Sequence, residues 1–370
     1  MDLKHRLESL DILRGFDLFL LVAVHPILVG ISSVDDSGVM DDILYHFDHE
    51  QWVGFRLWDL IMPLFLFITG SAIPFSFDKH RFVANQSVYK HLFRRFVILW
   101  IIGMIIQGNL FSFDWRSMKL FSNTLQAIAI GYLFSSIFYL NFKKNTLYVI
   151  VALLLVVYTI PFLVFDDFSE FNNIAIRIDR YILGPFIDGA HWQNSNSWVY
   201  SKTYNYSWIW SSLTFTVSVM TGCFAGKYIK DNRGNFSYKI ALNLAIIGVI
   251  LVLVGLFFGA FVPIIKRIWT STMVIYSSGI CLILLATFFY LIDILQWKKP
   301  FSFLKIFGLN SLVAYFLGEF INFRPIVHQF TYGIENIFPD YQSLILNVGN
   351  VTILTLILWG MYRSKKFISI

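Results

Sequence analysis

Residues 57–77 read LWDLIMPLFLFITGSAIPFSF, a run of 21 residues in which Asp59 is the one charged side chain. A helix needs about 20 residues to cross about 30 Å of hydrocarbon, where irregular backbone is not tolerated against lipid. The run is therefore a candidate transmembrane helix. Ten such blocks can be drawn, at 12–32, 57–77, 96–113, 122–140, 146–165, 206–226, 240–261, 270–292, 308–322 and 342–362. They predict an all-α polytopic membrane protein, a bundle of about ten transmembrane helices.

The composition of the chain agrees with this fold class. Of 370 residues, 57% are hydrophobic and 14% are charged, and the mean hydropathy is +0.64. A soluble domain carries about a quarter charged residues. The net charge of +6 resides in short loops between apolar blocks, so nucleic acid is not an expected partner. Cys223 and Cys281 fall inside apolar blocks, which argues against disulfides and cysteine metal ligands.

The distribution of positive charge predicts the orientation. With a cytoplasmic N-terminus, 20 of the 29 Lys and Arg residues lie on the cytoplasmic side, as the positive-inside rule requires. We therefore expect both termini in the cytoplasm, a location in the cytoplasmic (inner) membrane and no cleavable signal peptide. The opposite side then carries the long segments 33–56 and 166–205. The second is rich in Asn, Ser, Trp and Tyr, a composition that suits either a sugar-like ligand or interfacial packing.

Polar side chains inside the apolar blocks indicate a functional site within the helix bundle, because burying such side chains in lipid is costly. Arg14 and His25 are eleven residues apart, which on a regular helix places them within about 20° of one stripe. A guanidinium can hold phosphate there, and a neutral imidazole can act as a base. Alternatively, the arginine pairs with Asp11 or Asp17 and the histidine only packs.

A second candidate histidine lies where a loop meets the second apolar block. His49 opens the stretch His49-Glu50-Gln51-Trp52-Val53-Gly54, ten residues before Asp59. A histidine beside carboxylates can be oriented as a general acid or base, and Trp52 can stack on a sugar ring. A lone loop histidine is also often simply solvated, so the spacing leaves both interpretations open.

Several blocks of the chain together resemble a known family. They are Arg6 to Gly15, His49 to Gly54 with Asp59 and Pro63 to Gly70, Asn123 to Ala129, Ile178 to Arg180, Pro263 to Thr270, and Gly308 to Leu312 with Tyr315. Their order and spacing resemble the heparan-alpha-glucosaminide N-acetyltransferase family and its bacterial relatives, which are membrane-embedded acetyltransferases. The resemblance covers nearly the whole chain, as one transmembrane acyltransferase domain over residues 1–370.

The resemblance implies an activity, and together with the chemistry of the side chains it predicts the site residues. Acetyl-CoA is the implied co-substrate on the cytoplasmic side, and an amino sugar of the glucosamine type is the implied acceptor on the far side. The predicted catalytic residues are His49, His25 and Asp59; those for acetyl-CoA are Arg14, Asn123, Gln126 and Asn310; those for the acceptor are Trp52, Lys266 and Trp269. No metal is implied. The expected partners are an amino sugar or glycan acceptor, the lipid bilayer and a second copy in a homodimer.

One departure from the family leaves alternatives open. The first helix of the family commonly has an asparagine beside the reaction centre, where this chain has His25. The resulting spacing from Arg14 resembles the acyltransferase-3 family, whose acceptors include hydroxyls of surface polysaccharides, so O-acylation is one alternative. A secondary transporter is another, because buried charges such as Asp17 and Glu319 would serve it, although no inverted repeat is visible. Direct transfer and a ping-pong route through an acetyl-histidine both fit the residues.

Overall fold

The structure, a computed structural model, describes residues 7–35, 37–165, 167–194, 196–233 and 236–368. Arg6, the first residue of the N-terminal block, lies outside the described residues. The α-helices are α1 Glu8–Phe19, α2 His25–Ser32, α3 Val39–His46, α4 Ile61–Phe77, α5 Gln86–Ile106, α6 Thr124–Asn141, α7 Lys144–Phe165, α8 Ile174–Leu183, α9 Ser212–Asp231, α10 Tyr238–Gly259, α11 Ser271–Phe288, α12 Leu304–Leu309, α13 Ser311–Phe320, α14 Arg324–Ile337 and α15 Gln342–Arg363.

Shorter elements join these helices. The π-helical segments are Leu20–Val24 and Phe289–Ile294, and the 3₁₀ helices are Leu57–Leu60, Asp78–His80, Leu110–Ser112, Gly184–Phe186, Lys299–Phe301 and Pro339–Tyr341. Strands β1 Ala190–Trp192 and β2 Trp198–Tyr200 pair as an antiparallel hairpin, with His191 opposite Val199. The hairpin lies within the long segment that was predicted to face away from the cytoplasm.

Seven helical stretches of the described residues are long and apolar enough to cross a membrane. They are Glu8–Ser32, Leu57–His80, Thr124–Asn141, Lys144–Phe165, Tyr238–Gly259, Ser271–Ile294 and Pro339–Arg363. Each coincides with one predicted block to within a few residues. The prediction of an all-α polytopic membrane protein is therefore confirmed, whereas the number of about ten spans is not.

The other three predicted blocks are placed differently in the structure. Helix α5 starts ten residues before the predicted 96–113, where the Asn85 side chain caps it by accepting the N–H of Val88. It ends at Ile106, because Asn109 adopts a left-handed conformation with φ of 53°. Helix α9 runs to Asp231 instead of ending near residue 226. The block 308–322 is interrupted at Asn310, which separates α12 from α13.

The chain divides into two compact units. The first, called unit 1, comprises Met1–His49, Arg56–Ile61 and Thr287–Ile370, and its α1 packs closely against α12. A Cβ atom added to Gly15 would lie 1.9 Å from the carbonyl oxygen of Leu304, and one added to Gly308 would lie 1.9 Å from that of Asp11. Glycine at both positions therefore allows the two helix backbones to touch, as small residues do in membrane bundles.

The second, called unit 2, comprises Glu50–Phe55 and Met62–Ala286. Helix α9 packs against α6 and α7 in this unit, and its glycines also touch the backbone of α4. A Cβ atom at Gly222 would lie 1.9 Å from the carbonyl oxygen of Phe67, and one at Gly70 would lie 1.8 Å from that of Val219. Because most of α9 is buried by protein, its small and polar residues are compatible with its position.

Candidate active site

His49 and Asp59 form a close polar pair in unit 1. The Nδ1 atom of His49 lies 2.8 Å from Oδ1 of Asp59, whose side chain is fully buried while that of His49 is 36% exposed. The second carboxylate oxygen, Oδ2, accepts the backbone N–H of Arg56 at 3.0 Å, at the start of the 3₁₀ helix Leu57–Leu60. The backbone thus fixes the carboxylate, and the carboxylate in turn orients the imidazole.

This geometry has a consequence for the histidine tautomer. A carboxylate only accepts hydrogen bonds, so Nδ1 of His49 carries the proton in this pair. Nε2 is then the nitrogen with a lone pair, and it is the atom that can accept a proton from a substrate. An oriented imidazole of this kind, with a buried carboxylate behind it, is the arrangement that supports general base catalysis in hydrolases.

His25 lies in the same part of unit 1. Its ring stacks on the indole of Trp58, with ring centroids 4.6 Å apart and an angle of 24° between the planes. Trp58 precedes Asp59, the hydrogen-bond partner of His49, in the 3₁₀ helix Leu57–Leu60. The structure therefore brings together the two histidines and Asp59, which the sequence predicts to be the catalytic residues.

The first helix is not regular between Arg14 and His25. The π-helical segment Leu20–Val24 lies between them, and its i to i+5 hydrogen bonds hold more residues in each turn than an α-helix does. The rotation of 100° per residue that placed both side chains on one stripe does not apply across this segment, so that expectation is wrong. Arg14 donates from Nη1 to Oδ1 of Asp11 at 3.4 Å, which agrees with the alternative of an aspartate-paired arginine.

Asn310 occupies the break between α12 and α13 and is fully buried. Its Oδ1 accepts the backbone N–H of Ile368 at 3.1 Å. Its Nδ2 has no hydrogen-bond partner among the described residues. The side chain therefore offers one uncommitted buried donor, which is compatible with its predicted contact with acetyl-CoA; that contact stays a prediction.

Asn123 and Gln126 form the N-terminal cap of α6. Asn123 Oδ1 accepts the N–H of Leu125 at 2.7 Å and its Nδ2 donates to Gln107 Oε1 at 2.9 Å. Gln126 Oε1 accepts the N–H groups of Ser122 and Asn123, and its Nε2 donates to the carbonyl of Leu120 at 2.7 Å. These bonds give both side chains a structural role in a capping box. Their predicted contact with acetyl-CoA stays a prediction.

The three predicted acceptor-binding residues lie on two neighbouring segments of unit 2. Trp52 donates from Nε1 to the carbonyl of Phe168 at 2.9 Å and packs against a buried cluster that contains Ile265 and Ile268. The N–H of Gly54 donates to the carbonyl of Ile264 at 2.9 Å. The segment of Trp52 therefore lies beside the segment that carries Lys266 and Trp269.

Trp269 is oriented into the protein rather than towards an open surface. It is 2% exposed, its φ of 56° is left-handed, and its Nε1 donates to Ser218 Oγ at 3.1 Å. Its ring also meets that of Phe215 edge to face at 5.0 Å. In this conformation Trp269 is a core residue, which disagrees with its predicted contact with an acceptor. Lys266, by contrast, is only partly buried.

Two residues of the structure, Trp58 and Asp179, stand out although the sequence predicts no role for them. Trp58 covers His25, but a tryptophan in an apolar block gives no signal beyond core packing. Asp179, buried in α8, accepts the N–H groups of Trp208 and Ile209 at 2.5 and 3.1 Å. Burial raises the pKa of Asp179 to about 7, although these backbone hydrogen bonds oppose the shift. No group of described residues has three or more side chains suited to holding a metal ion.

Comparison with known proteins shows which family the chain is similar to. A family model for the catalytic part of heparan-alpha-glucosaminide N-acetyltransferase matches residues 6–180. This range contains His25, His49, Trp58, Asp59 and Asp179. The chain is similar to the heparan-alpha-glucosaminide N-acetyltransferase family. The resemblance predicted from the sequence is therefore confirmed.

Two curated relatives extend the similarity beyond that range. The heparan-alpha-glucosaminide N-acetyltransferase of Homo sapiens is 24% identical over 426 residues, which include 99% of this chain. The protein of the same name from Mus musculus is 22% identical and covers 98% of this chain. The chain spans 60% of the length of each of these heparan-alpha-glucosaminide N-acetyltransferases.

Proposed function

We propose that the chain is a membrane-embedded acetyltransferase that moves an acetyl group from cytoplasmic acetyl-CoA to an amino sugar of the glucosamine type on the opposite side. The observation that carries this proposal is the pair of His49 and buried Asp59 at 2.8 Å. The similarity to N-acetyltransferases over nearly the whole chain supports the reaction class. The seven apolar helical stretches support the membrane location.

In the proposed reaction, the amine nitrogen of the acceptor attacks the thioester carbonyl carbon. A C–N bond forms, the C–S bond breaks, and CoA leaves as a thiolate. Nε2 of His49 takes the proton that the amine loses, and Asp59 stabilises the imidazolium that results. That proton finally neutralises the thiolate, so atoms and charge balance. General base catalysis of this type typically contributes a factor of about 10² to 10⁴ in rate.

The remaining predicted residues have supporting roles in this proposal. Arg14 and the uncommitted Nδ2 of Asn310 are donors for acetyl-CoA, to a phosphate and to the acyl oxygen respectively. Trp52 and Lys266 lie on adjacent segments and would hold the acceptor. We place both termini in the cytoplasm and the chain in the inner membrane, because 20 of 29 positive residues fall on one side. A homodimer is part of the same proposal.

The test uses purified protein in sealed liposomes with labelled acetyl-CoA and glucosamine. We expect His49→Ala to lower the formation of N-acetylglucosamine by a factor of 10² to 10⁴, because the base is removed. His80→Ala is the matched control, since His80 is an exposed histidine at the end of the 3₁₀ helix Asp78–His80 and has no predicted role in the site. The control should retain native activity.

Other outcomes of this assay identify the alternatives. Release of free CoA without acetylated glucosamine would keep the enzyme class and point to another acceptor, such as the hydroxyl of a polysaccharide. Failure to bind acetyl-CoA, with neither product formed, would contradict the proposal and favour a secondary transporter. An acetyl group trapped on His49 in the absence of acceptor would establish the ping-pong route.

A further inference from the structure

The contact between His25 and Trp58 is the closest aromatic stack in the candidate site. The centroids lie 4.6 Å apart at 24°, and Trp58 is only 8% exposed. Phe47 contacts the same indole at a centroid distance of 6.0 Å. All three residues belong to unit 1, and the half-buried His25 has one ring face covered by the indole.

The turn that carries Asp59 also positions Trp58. Both lie in the 3₁₀ helix Leu57–Leu60, where three residues complete a turn, so consecutive side chains point about 120° apart. One residue of the turn therefore reaches His25 while the next reaches His49. The turn is itself anchored by the hydrogen bond from the Arg56 N–H to Asp59.

We propose that Trp58 is the positioning residue of His25, as Asp59 is of His49. The two nitrogens of an imidazole lie in the ring plane, so a stacked indole restricts the rotation of the ring and leaves both nitrogens available for proton exchange. The inference rests on the proposed acetyltransferase function. It adds that Trp58 fixes the plane of the His25 imidazole, whose two nitrogens exchange the protons. It also adds that Trp58 affects the reaction through His25 alone.

A double-mutant cycle tests this statement. Trp58→Met removes the aromatic face and should lower kcat at least tenfold, with the KM for acetyl-CoA unchanged within a factor of two. Trp58→Phe retains an aromatic face and should lose less than threefold. In a His25→Ala background, Trp58→Met should cause no further loss, because its target is already absent.

The matched control for this cycle is Trp208→Met. Trp208 is also only 8% exposed but lies in unit 2. We expect its effect on kcat, whatever the size, to be the same with and without His25. Equal losses from Trp58→Met in the native and His25→Ala backgrounds would overturn the proposal. If Trp58→Met does not fold, Trp58→Leu takes its place as the non-aromatic variant.

Chemical modification gives a measurement that does not depend on activity. Diethylpyrocarbonate acylates accessible neutral imidazoles, and mass spectrometry reports the rate at each histidine. We expect His25 to react several-fold faster in Trp58→Met than in the native chain or in Trp58→Phe, while the rate at His49 stays constant. An unchanged rate at His25 would overturn the positioning role. Faster modification in a chain that shows no acetyl transfer would keep that role and reject the proposed function.

Discussion

At the scale of single residues, the candidate site is organised by two side chains that follow each other in the sequence. Asp59 fixes His49 through a hydrogen bond of 2.8 Å, and Trp58 covers His25 at 4.6 Å. The His49 and Asp59 pair could be predicted, because a histidine and a carboxylate flank the junction between a loop and an apolar block. The role of Trp58 could not, since stacking depends on the direction in which the 3₁₀ turn points each side chain.

Asp59→Asn tests the orientation of His49. The substitution keeps the shape of the side chain but can place an amide donor against the protonated Nδ1, which favours the wrong tautomer. We expect kcat to fall by a factor of about 10² to 10⁴, with little change in the KM for acetyl-CoA. Steady-state kinetics in liposomes give both constants.

The control for this variant is Asp340→Asn, which alters an exposed carboxylate. Its kinetics should match those of the native chain. A kcat for Asp59→Asn within threefold of the native value would show that the carboxylate does not assist His49 in the reaction.

At the scale of helices, short sequence patterns predict where some helices begin but do not predict irregular turns within them. Asn123 followed three residues later by Gln126, ahead of an apolar run, is itself a helix-capping pattern, and the structure uses it in that way. The π-helical segment Leu20–Val24 could not be predicted, because analysis of hydrophobic periodicity assumes 3.6 residues per turn. The expected stripe of Arg14 and His25 failed for that reason.

The contact between α1 and α12 makes a quantitative prediction. Gly15→Ala places a methyl group 1.9 Å from a carbonyl oxygen, so the two helices must separate. We expect a loss of about 1 to 3 kcal/mol in the free energy of unfolding, which a thermal melt in detergent will show as a lower Tm. Gly360→Ala, in α15, has no atom within 4 Å of the new methyl group and should not lower Tm. A native Tm for Gly15→Ala would show that the helices do not touch there.

Asp179 makes the stability depend on pH. Its pKa is about 7 in the folded chain and about 3.8 in the unfolded chain, because burial disfavours the carboxylate. Between pH 4 and 7 the folded state therefore holds a proton that the unfolded state has lost. The contribution of Asp179 to the free energy of unfolding should fall as pH rises through this window, by at most about 1.4 kcal/mol per pH unit, and should be constant above it.

Thermal melts from pH 5 to 8 measure this contribution. We expect Asp179→Asn, which cannot titrate, to lose the part of the slope that Asp179 supplies. Val199→Ala, which removes an exposed side chain without a titrating group, should keep the native slope. Identical slopes for Asp179→Asn and the native chain would show that this carboxyl is ionised throughout the range.

At the scale of the whole molecule, hydropathy predicted the fold class better than the number of spans. Seven blocks coincide with long apolar helices, but α5 and α9 carry charged residues and α13 has only ten residues. Helix α9 illustrates the reason. Contacts such as Gly222 on the backbone of α4 bury it among other helices, so its own hydropathy need not be high. Such tertiary burial cannot be read from one segment.

The predicted orientation can be tested with two matched cysteine variants. Lys202→Cys lies in the long segment after α8, and Lys366→Cys follows α15; both positions are exposed. The native Cys223 and Cys281 are buried, so background labelling should be low. In right-side-out membrane vesicles, we expect an impermeant maleimide to label Lys202→Cys alone until the vesicles are opened. Labelling of both variants in closed vesicles would contradict the orientation.

The short turn Leu57–Leu60 gives the two histidines a shared support. Because Trp58 and Asp59 are adjacent in this turn, a displacement of the whole turn would move the contacts of both imidazoles in the same step. Replacing Trp58 or Asp59 alone changes the contact of one histidine, whereas a change that displaces Arg56, whose N–H hydrogen-bonds Asp59, would act on both histidines together.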